Sequence, residues 1–358
     1  MNFHVNPHVC RALTAAAVST LFSLSVFAAD QTAPAQAVQA KPNEQMQQVL
    51  TELGSMGGKP MDKLSAKVAR QQPTPAQAVE GVLKKENKST APQPVAKVED
   101  RTIQAANGQS IPVRIYWPEG KGPFPVTVYF HGGGWVIADK QVYDASPRAL
   151  VNSAKTIVVS ADYRKGPEHK FPAAHEDAYQ AYLWTLKNAA SLNGNPDQVA
   201  VAGESAGGNL AMAVSMMARD QGQKLPVYQL IVYPVASPDM NTPSYQENAN
   251  AKPLNKPMMA WFFKNYLGNA SDKKDPRIDL LHANLKGLPS TTLITAQIDP
   301  LRSEGEQLAK NLKEAGVKVE YRNYDNVTHE FFGMGAVLDE AKKAEEFAAN
   351  GLKSAFKG

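Results

Sequence analysis

From residue 97 onward the chain alternates short apolar runs with stretches of helical spacing, and few architectures accept that rhythm. KVEDRTIQA and IPVRIYW read as strands joined by the turn NGQS. FPVTVYF, TIVVSADY, QVAVAG, VYQLIVYP, TTLITAQID and VKVEYRNY follow, several almost continuously apolar, as in strands buried on both faces. Between them lie helical patterns: AAHEDAYQAYLWTLKNAAS closed by NGNPD, then NLAMAVSMMA, then SEGEQLAKNLKEAG with Gly316 as its stop. A last helix around LDEAKKAEEFAANGLKSAF closes the chain. Strand and helix in this order predict an α/β fold with a mostly parallel central sheet, helices on both faces and right-handed crossovers. In such sheets the ligand site lies at the carboxyl ends of the strands.

Two regions stand outside the rhythm. Residues 237–278 interrupt it between two core strands and carry a helix of their own around PMMAWFFKNYLG. They are expected to lie over the strand ends as a cap insertion. Residues 43–95 hold three helical stretches, EQMQQVLTELGSM, MDKLSAKVARQ and PTPAQAVEGVLKKEN, expected to complete that helical cap. The core domain then spans 96–358. Residues 29–42, rich in Ala, Gln and Pro, read as a flexible tether. Residues 1–28 have the layout of a secretory signal: Arg11, then the apolar run 13–28, then a cleavage point before Ala29. That run of 16 residues is short against the roughly 20 needed to span a bilayer, so no stable membrane span is expected. The expected location is periplasmic or secreted. Cys10, the only cysteine, would leave with the signal, so neither a disulfide nor a thiolate metal site is expected. The net charge of +4 is spread among both signs, which argues against a nucleic-acid partner. The oligomeric state stays open.

The chemistry begins at GESAGG, residues 203–208, where the strand QVAVAG turns into a helix. Small residues permit a tight turn, and such a turn pushes the Ser205 hydroxyl out over the sheet edge. A packing turn would use the same residues, so the rest of an acyl-transfer constellation must be found elsewhere. The base must be a histidine. His131 stands before three glycines, His169 in a charged turn, His175 at a helix start and His282 in a loop. His329 follows the last core strand, from which it can reach over the sheet edge to Ser205. The orienting acid should fall between them in the chain. Asp299 does, at the end of TTLITAQID, where Pro300 stops the strand. Asp325, four residues before His329, is the rival. HGGGW, residues 131–135, follows the strand FPVTVYF, and its glycines let successive N–H groups face one point. No GK[ST] follows it and no GxGxxG occurs, so a nucleotide is not expected. Gly132, Gly133 and Ala206, the residue after the serine, are the candidate oxyanion-hole donors. No metal and no cofactor is called for.

Together these stretches resemble the hormone-sensitive-lipase-like family of α/β-hydrolases, in its bacterial carboxylesterase branch. The resemblance rests on HGGGW at 131–135, YRKGPEHKFPAAHED at 163–177, GESAGGNLA at 203–211, YPV at 233–235, IDPLRSEG at 298–305 and THEFFGM at 328–334. It covers the chain from about residue 45 onward. It implies an α/β-hydrolase fold with a helical cap and a serine carboxylesterase acting on short- or medium-chain acyl esters. Ser205 would be nucleophile, Asp299 orienting acid and His329 base, with Glu204 as a structural hydrogen-bonding residue. Two departures stand out. Ser303 replaces an aspartate common in the family, and Lys165–Gly166 replace Leu-Ala in a turn beside the site. Trp135, Met258 and Phe262 are candidates for substrate binding. Met258, Met259, Trp261, Phe262 and Phe263 read equally well as the wall of an acyl pocket or as the buried face of a helix. The same triad serves an amidase or an acyltransferase, since amine or alcohol can enter the same acyl-enzyme. A silent small-ligand-binding protein on this fold is the remaining alternative.

Overall fold

The computed structural model describes residues 40–357. The expected signal segment, Cys10 and most of the expected tether therefore lie outside the described residues. Within the stretch expected to be a tether, Lys41 O accepts from Asn326 Nδ2 at 2.9 Å, and just after it Asn43 N donates to Asn326 O at 2.8 Å.

Three helices come first, α1 (Glu44–Ser55), α2 (Ala66–Ala69) and α3 (Pro75–Lys85). Asn43 caps α1, and Thr74 with Gln77 forms a capping box on α3, whose first residue is Pro75. The core then runs β1 (Lys97–Gln104), β2 (Ser110–Trp117), β3 (Phe124–Phe130), α4 (Ala145–Ala154), β4 (Ile157–Ala161), α5 (Ala173–Asn188), β5 (Gly194–Glu204), α6 (Ala206–Asp220) and β6 (Gln229–Val232). Within the insertion lie α7 (Pro243–Glu247) and α8 (Lys256–Tyr266). β7 (Thr291–Ile298), α9 (Arg302–Glu314), β8 (Val319–Thr328) and α10 (Asp339–Lys357) complete the chain.

The eight strands form one sheet in the order β1-β2-β4-β3-β5-β6-β7-β8. Only β1–β2 and β2–β4 pair antiparallel; every other pair is parallel. Successive side chains leave opposite faces of a strand, and the core divides accordingly. Val126, Val128 and Phe130 of β3 join the cluster under α5, α6, α8 and α9. Tyr129, Val158, Ala200 and Ala202 join the other, against α1, α3, α4 and α10.

Two local expectations need correction. No helix was expected between HGGGW and TIVVSADY, yet α4 occupies 145–154. Its Ser, Asn and Pro have weak helix propensity, and it forms because Leu150, Val151 and Ala154 are buried in the core. NGNPD was read as a helix stop alone. Asn193 does end the helical stretch in the left-handed region, but Gly194 already pairs with Phe124, and an irregularity before Val199 absorbs the Pro and Asp.

Candidate active site

The carboxyl ends of β3, β5, β7 and β8 release HGGGW, Ser205, Asp299 and His329 along one edge of the sheet. β5 lies between β3 and β6, so its turn is central. Ser205 caps α6 with φ 57° and ψ −119°, a sparsely populated conformation that costs of order 1–3 kcal/mol and persists only when neighbours over-determine it. Here they do. Ser205 N donates to Val232 O at 2.9 Å, and the turn closes so tightly that a Cβ on Gly207 would stand 1.9 Å from Phe130 O. Gly203 is equally confined, since a Cβ there would lie 2.1 Å from Gly207 O.

The strain presents the hydroxyl to a histidine. Ser205 Oγ donates to His329 Nε2 at 2.9 Å, while His329 Nδ1 donates to Asp299 Oδ2 at 2.6 Å. All three side chains are buried or nearly so. The second oxygen of Asp299 accepts from Leu301 N at 2.9 Å, which fixes the carboxylate plane. Burial by itself would lower the pKa of His329, but the charge and hydrogen bond of Asp299 outweigh it and hold the imidazole above its ordinary range. The rival acid, Asp325, accepts from Asn323 Nδ2 instead and plays no part.

Glu204 is enclosed behind the turn, where the hydroxyls of Tyr129 and Tyr233 each donate to one of its oxygens. Burial pushes its pKa up to about 7. Tyr233 in turn packs its ring 4.5 Å from that of His329. Sequence reasoning assigned Glu204 a hydrogen-bonding role; nothing in the sequence marked Tyr129 or Tyr233 as its partners. Two further residues were missed. Glu330, directly after the histidine, has φ 71° and accepts from Tyr143 OH at 2.6 Å. Its adjacency to His329 was the only available signal, and Tyr143 carried none.

Two of the other histidines, His131 and His175, are structural. His131 is fully buried and stacks on Tyr163 with ring centroids 4.3 Å apart. His175 Nε2 contacts Asn209 Oδ1 at 2.9 Å and Nδ1 contacts Tyr266 OH at 2.8 Å; burial lowers its pKa to about 4, so it stays neutral.

A cavity of about 520 Å³ opens over Ser205 and His329, in the size range of small-molecule sites. Its walls come from both expected cap regions, with Leu53 and Met61 from the N-terminal segment and Leu254, Met258 and Phe262 from the insertion. Trp261 Nε1 ties the two together by donating to Leu64 O at 2.9 Å. α8 therefore settles the two readings of its apolar residues by face. Met258 and Phe262, one turn apart, line the cavity, Phe262 from within the same packed layer that buries Met259, Trp261 and Phe263. Trp135 is the exception among the expected substrate contacts. It is fully buried, stacked 4.8 Å from Tyr266, and lines no part of this cavity. Its φ of 59° turns the side chain inward from the loop, which spacing alone could not reveal.

Of the expected oxyanion donors Gly133 lines the cavity, with Gly134 beside it, both with positive φ, whereas Gly132 and Ala206 are buried and outside its lining; a Cβ on Gly134 would strike the Phe262 ring at 2.2 Å. The departures from the family pattern are each accommodated. Ser303 Oγ accepts from Ser244 N at 3.1 Å and Ser303 N donates to Ser244 Oγ at 3.0 Å, stapling the insertion to α9. Lys165 donates to Asp162 at 2.6 Å in the cavity wall. Gly166 lets Asn265 approach, since a Cβ there would lie 2.8 Å from Asn265 O. Among the described residues, no group of three or more His, Cys, Asp or Glu could hold a metal ion, and no helix is long and apolar enough to cross a membrane.

A family model for the alpha/beta hydrolase fold, Abhydrolase_3, matches residues 127–333, more than half of the chain. The chain belongs to the hormone-sensitive-lipase-like family of α/β-hydrolases. This α/β-hydrolase is 37% identical over 268 residues to the carboxylesterase NlhH of Mycobacterium tuberculosis, covering 74% of this chain and 84% of the relative. It is 30% identical over 299 residues to an ethyl acetate hydrolase of Pseudomonas putida, covering 82% and 92%. Among solved structures it matches the hyperthermophilic esterase of the archaeon Pyrobaculum calidifontis with a TM-score of 0.80 and 35% identity, over 89% of this chain and all of that one.

Proposed function

We propose that this carboxylic ester hydrolase is a serine carboxylesterase that hydrolyses short- to medium-chain acyl esters through an acyl-enzyme. The observation that carries the reading is the linked pair of contacts, 2.9 Å from Ser205 Oγ to His329 Nε2 and 2.6 Å from His329 Nδ1 to Asp299. With Nδ1–H committed to Asp299, Nε2 presents its lone pair to the serine. Ser205 Oγ attacks the ester carbonyl as Nε2 takes its proton. The N–H groups of Gly132, Gly133 and Ala206 serve the developing oxyanion, Ala206 at the positive end of α6. The alcohol departs with the proton from Nε2, and water then cleaves the acyl-enzyme through the same base. Met258 and Phe262 bound the acyl chain. The leader-like segment at the N-terminus supports a periplasmic or secreted location.

The test is Ser205→Ala on p-nitrophenyl butyrate, where wild-type turnover would sink the triad. Matched ester and amide substrates separate an esterase from an amidase. A graded acyl series, with the optimum at or below medium chains, checks the substrate class.

A further inference from the structure

Glu330 stands apart from the triad and is not explained by it. Its carboxylate oxygen Oε1 lies 3.8 Å from His329 Nε2, the nitrogen that must pass protons during turnover. The Tyr143 hydroxyl donates across both its oxygens, at 2.6 Å to each. About a fifth of its side chain remains accessible, and it lines the same cavity as Ser205 and His329. A backbone in the left-handed region holds it there, a conformation that side chains seldom adopt without a reason in the fold. The Tyr143 hydroxyl is itself wedged against the oxyanion loop, 2.2 Å from where a Cβ on Gly132 would stand. The carboxylate is thus fixed, open to the cavity on one side and placed beside the reacting nitrogen.

We propose that Glu330 positions the water that hydrolyses the acyl-enzyme. The inference rests on the serine-triad reading above. A water oxygen can make two hydrogen bonds of about 2.8 Å to acceptors 3.8 Å apart, at an angle of roughly 85°, close to its natural geometry. One O–H points to Nε2 and the other to Oε1. The oxygen lone pair then forms the bond to the acyl carbon as Nε2 removes the first proton. That proton passes to Ser205 Oγ as the acyl–Oγ bond breaks. The second hydrogen stays on the new carboxylic acid, and Glu330 neither gains nor loses a proton. An alcohol entering the same place has one O–H, which goes to Nε2, and nothing to offer Glu330. The carboxylate therefore favours hydrolysis over transfer to alcohols.

The test exploits that difference. The full-length enzyme turns over p-nitrophenyl butyrate in aqueous methanol, and butyric acid and methyl butyrate are quantified by gas chromatography. Glu330→Gly removes the acceptor and suits the positive φ, while Glu330→Gln preserves shape with a neutral acceptor. The acid-to-ester ratio is expected to fall about tenfold or more for Glu330→Gly, the size of a lost hydrogen bond to a charged group, and less for Glu330→Gln. Tyr143→Phe, which frees the carboxylate, shifts it in the same direction. Labelling of Ser205 by a fluorophosphonate reports whether each variant keeps a folded triad; should Glu330→Gly lose it, Glu330→Gln decides. An unchanged ratio in the labelled variants overturns the role of Glu330. A wild-type enzyme that neither labels nor forms either product overturns the triad instead.

Discussion

His329 Nδ1 lies 2.6 Å from Asp299 Oδ2, joining the ends of two adjacent strands, β7 and β8, with both side chains buried. The pair has a pH signature. Burial pulls the imidazole pKa down, and the anion beside it pushes it up past its ordinary value. A general base works only when neutral, so activity appears as pH rises through this raised pKa. The acid limb of kcat/KM should therefore lie above about 6.5. In Asp299→Asn the strongest opposition to burial is gone, only the more weakly acting Glu330 and Glu204 still raise the imidazole, and the limb moves to lower pH, while kcat falls by about 10⁴-fold, as when a triad aspartate loses its charge. A pH–rate profile of both enzymes checks the shift, and an unmoved limb would contradict it.

Glu204 gives a stability signature of the opposite sign to that of an ion-paired carboxylate. In the unfolded chain it ionises near 4.5, whereas burial keeps the folded group protonated up to about 7. Between those values the folded state binds more protons, so stability falls as pH rises through the window, by roughly 3 kcal/mol in all. Glu345, pushed up to about 8 by burial, adds to the decline. Chemical denaturation at pH 5 and pH 8 should show a smaller loss for Glu204→Gln than for the wild type.

The turn at Ser205 leaves no room for a methyl group on Gly207. In Gly207→Ala the new Cβ would meet two backbone carbonyl oxygens, Phe130 O at 1.9 Å and His131 O at 2.5 Å. Neither can retreat without moving the loop 131–135 that follows β3. The variant should lose about 3 kcal/mol or more and its activity with it, read by thermal unfolding alongside turnover of p-nitrophenyl butyrate.

Phe262 bounds the cavity and presses on Gly134. Phe262→Leu shortens that wall while remaining apolar, at a cost of roughly 1–2 kcal/mol. The preference for an octanoyl over a butyryl ester should rise several-fold, since each methylene accommodated is worth roughly 1 kcal/mol or more. Unaltered ratios of kcat/KM across the acyl series would place the acyl chain elsewhere.

Much of this site was legible before any coordinates. Period-two and continuous apolar runs revealed the strands, and parallel strands place their loops at one edge, so four motifs far apart in sequence could be assigned to a common place. Asp299 was separable from Asp325 because it ends a strand of its own. Trp135 was misread because HGGGW shows that the loop turns, but not to which side its last residue points. That direction depends on a positive φ and on the Tyr266 ring waiting beneath it.

Local propensity and spacing, which need only neighbours in the chain, determined the alternation of strand and helix and the turn at Ser205. The tertiary structure decided what depends on distant partners. It set which face of α8 meets the cavity, how Trp261 and Leu64 join the two cap segments, and how two tyrosines hold Glu204. It also brought Tyr143 and Glu330, 187 residues apart, into contact beside His329. Side-chain contacts of that range leave no periodicity in a sequence, because they depend on where whole elements pack and not on what their own residues prefer.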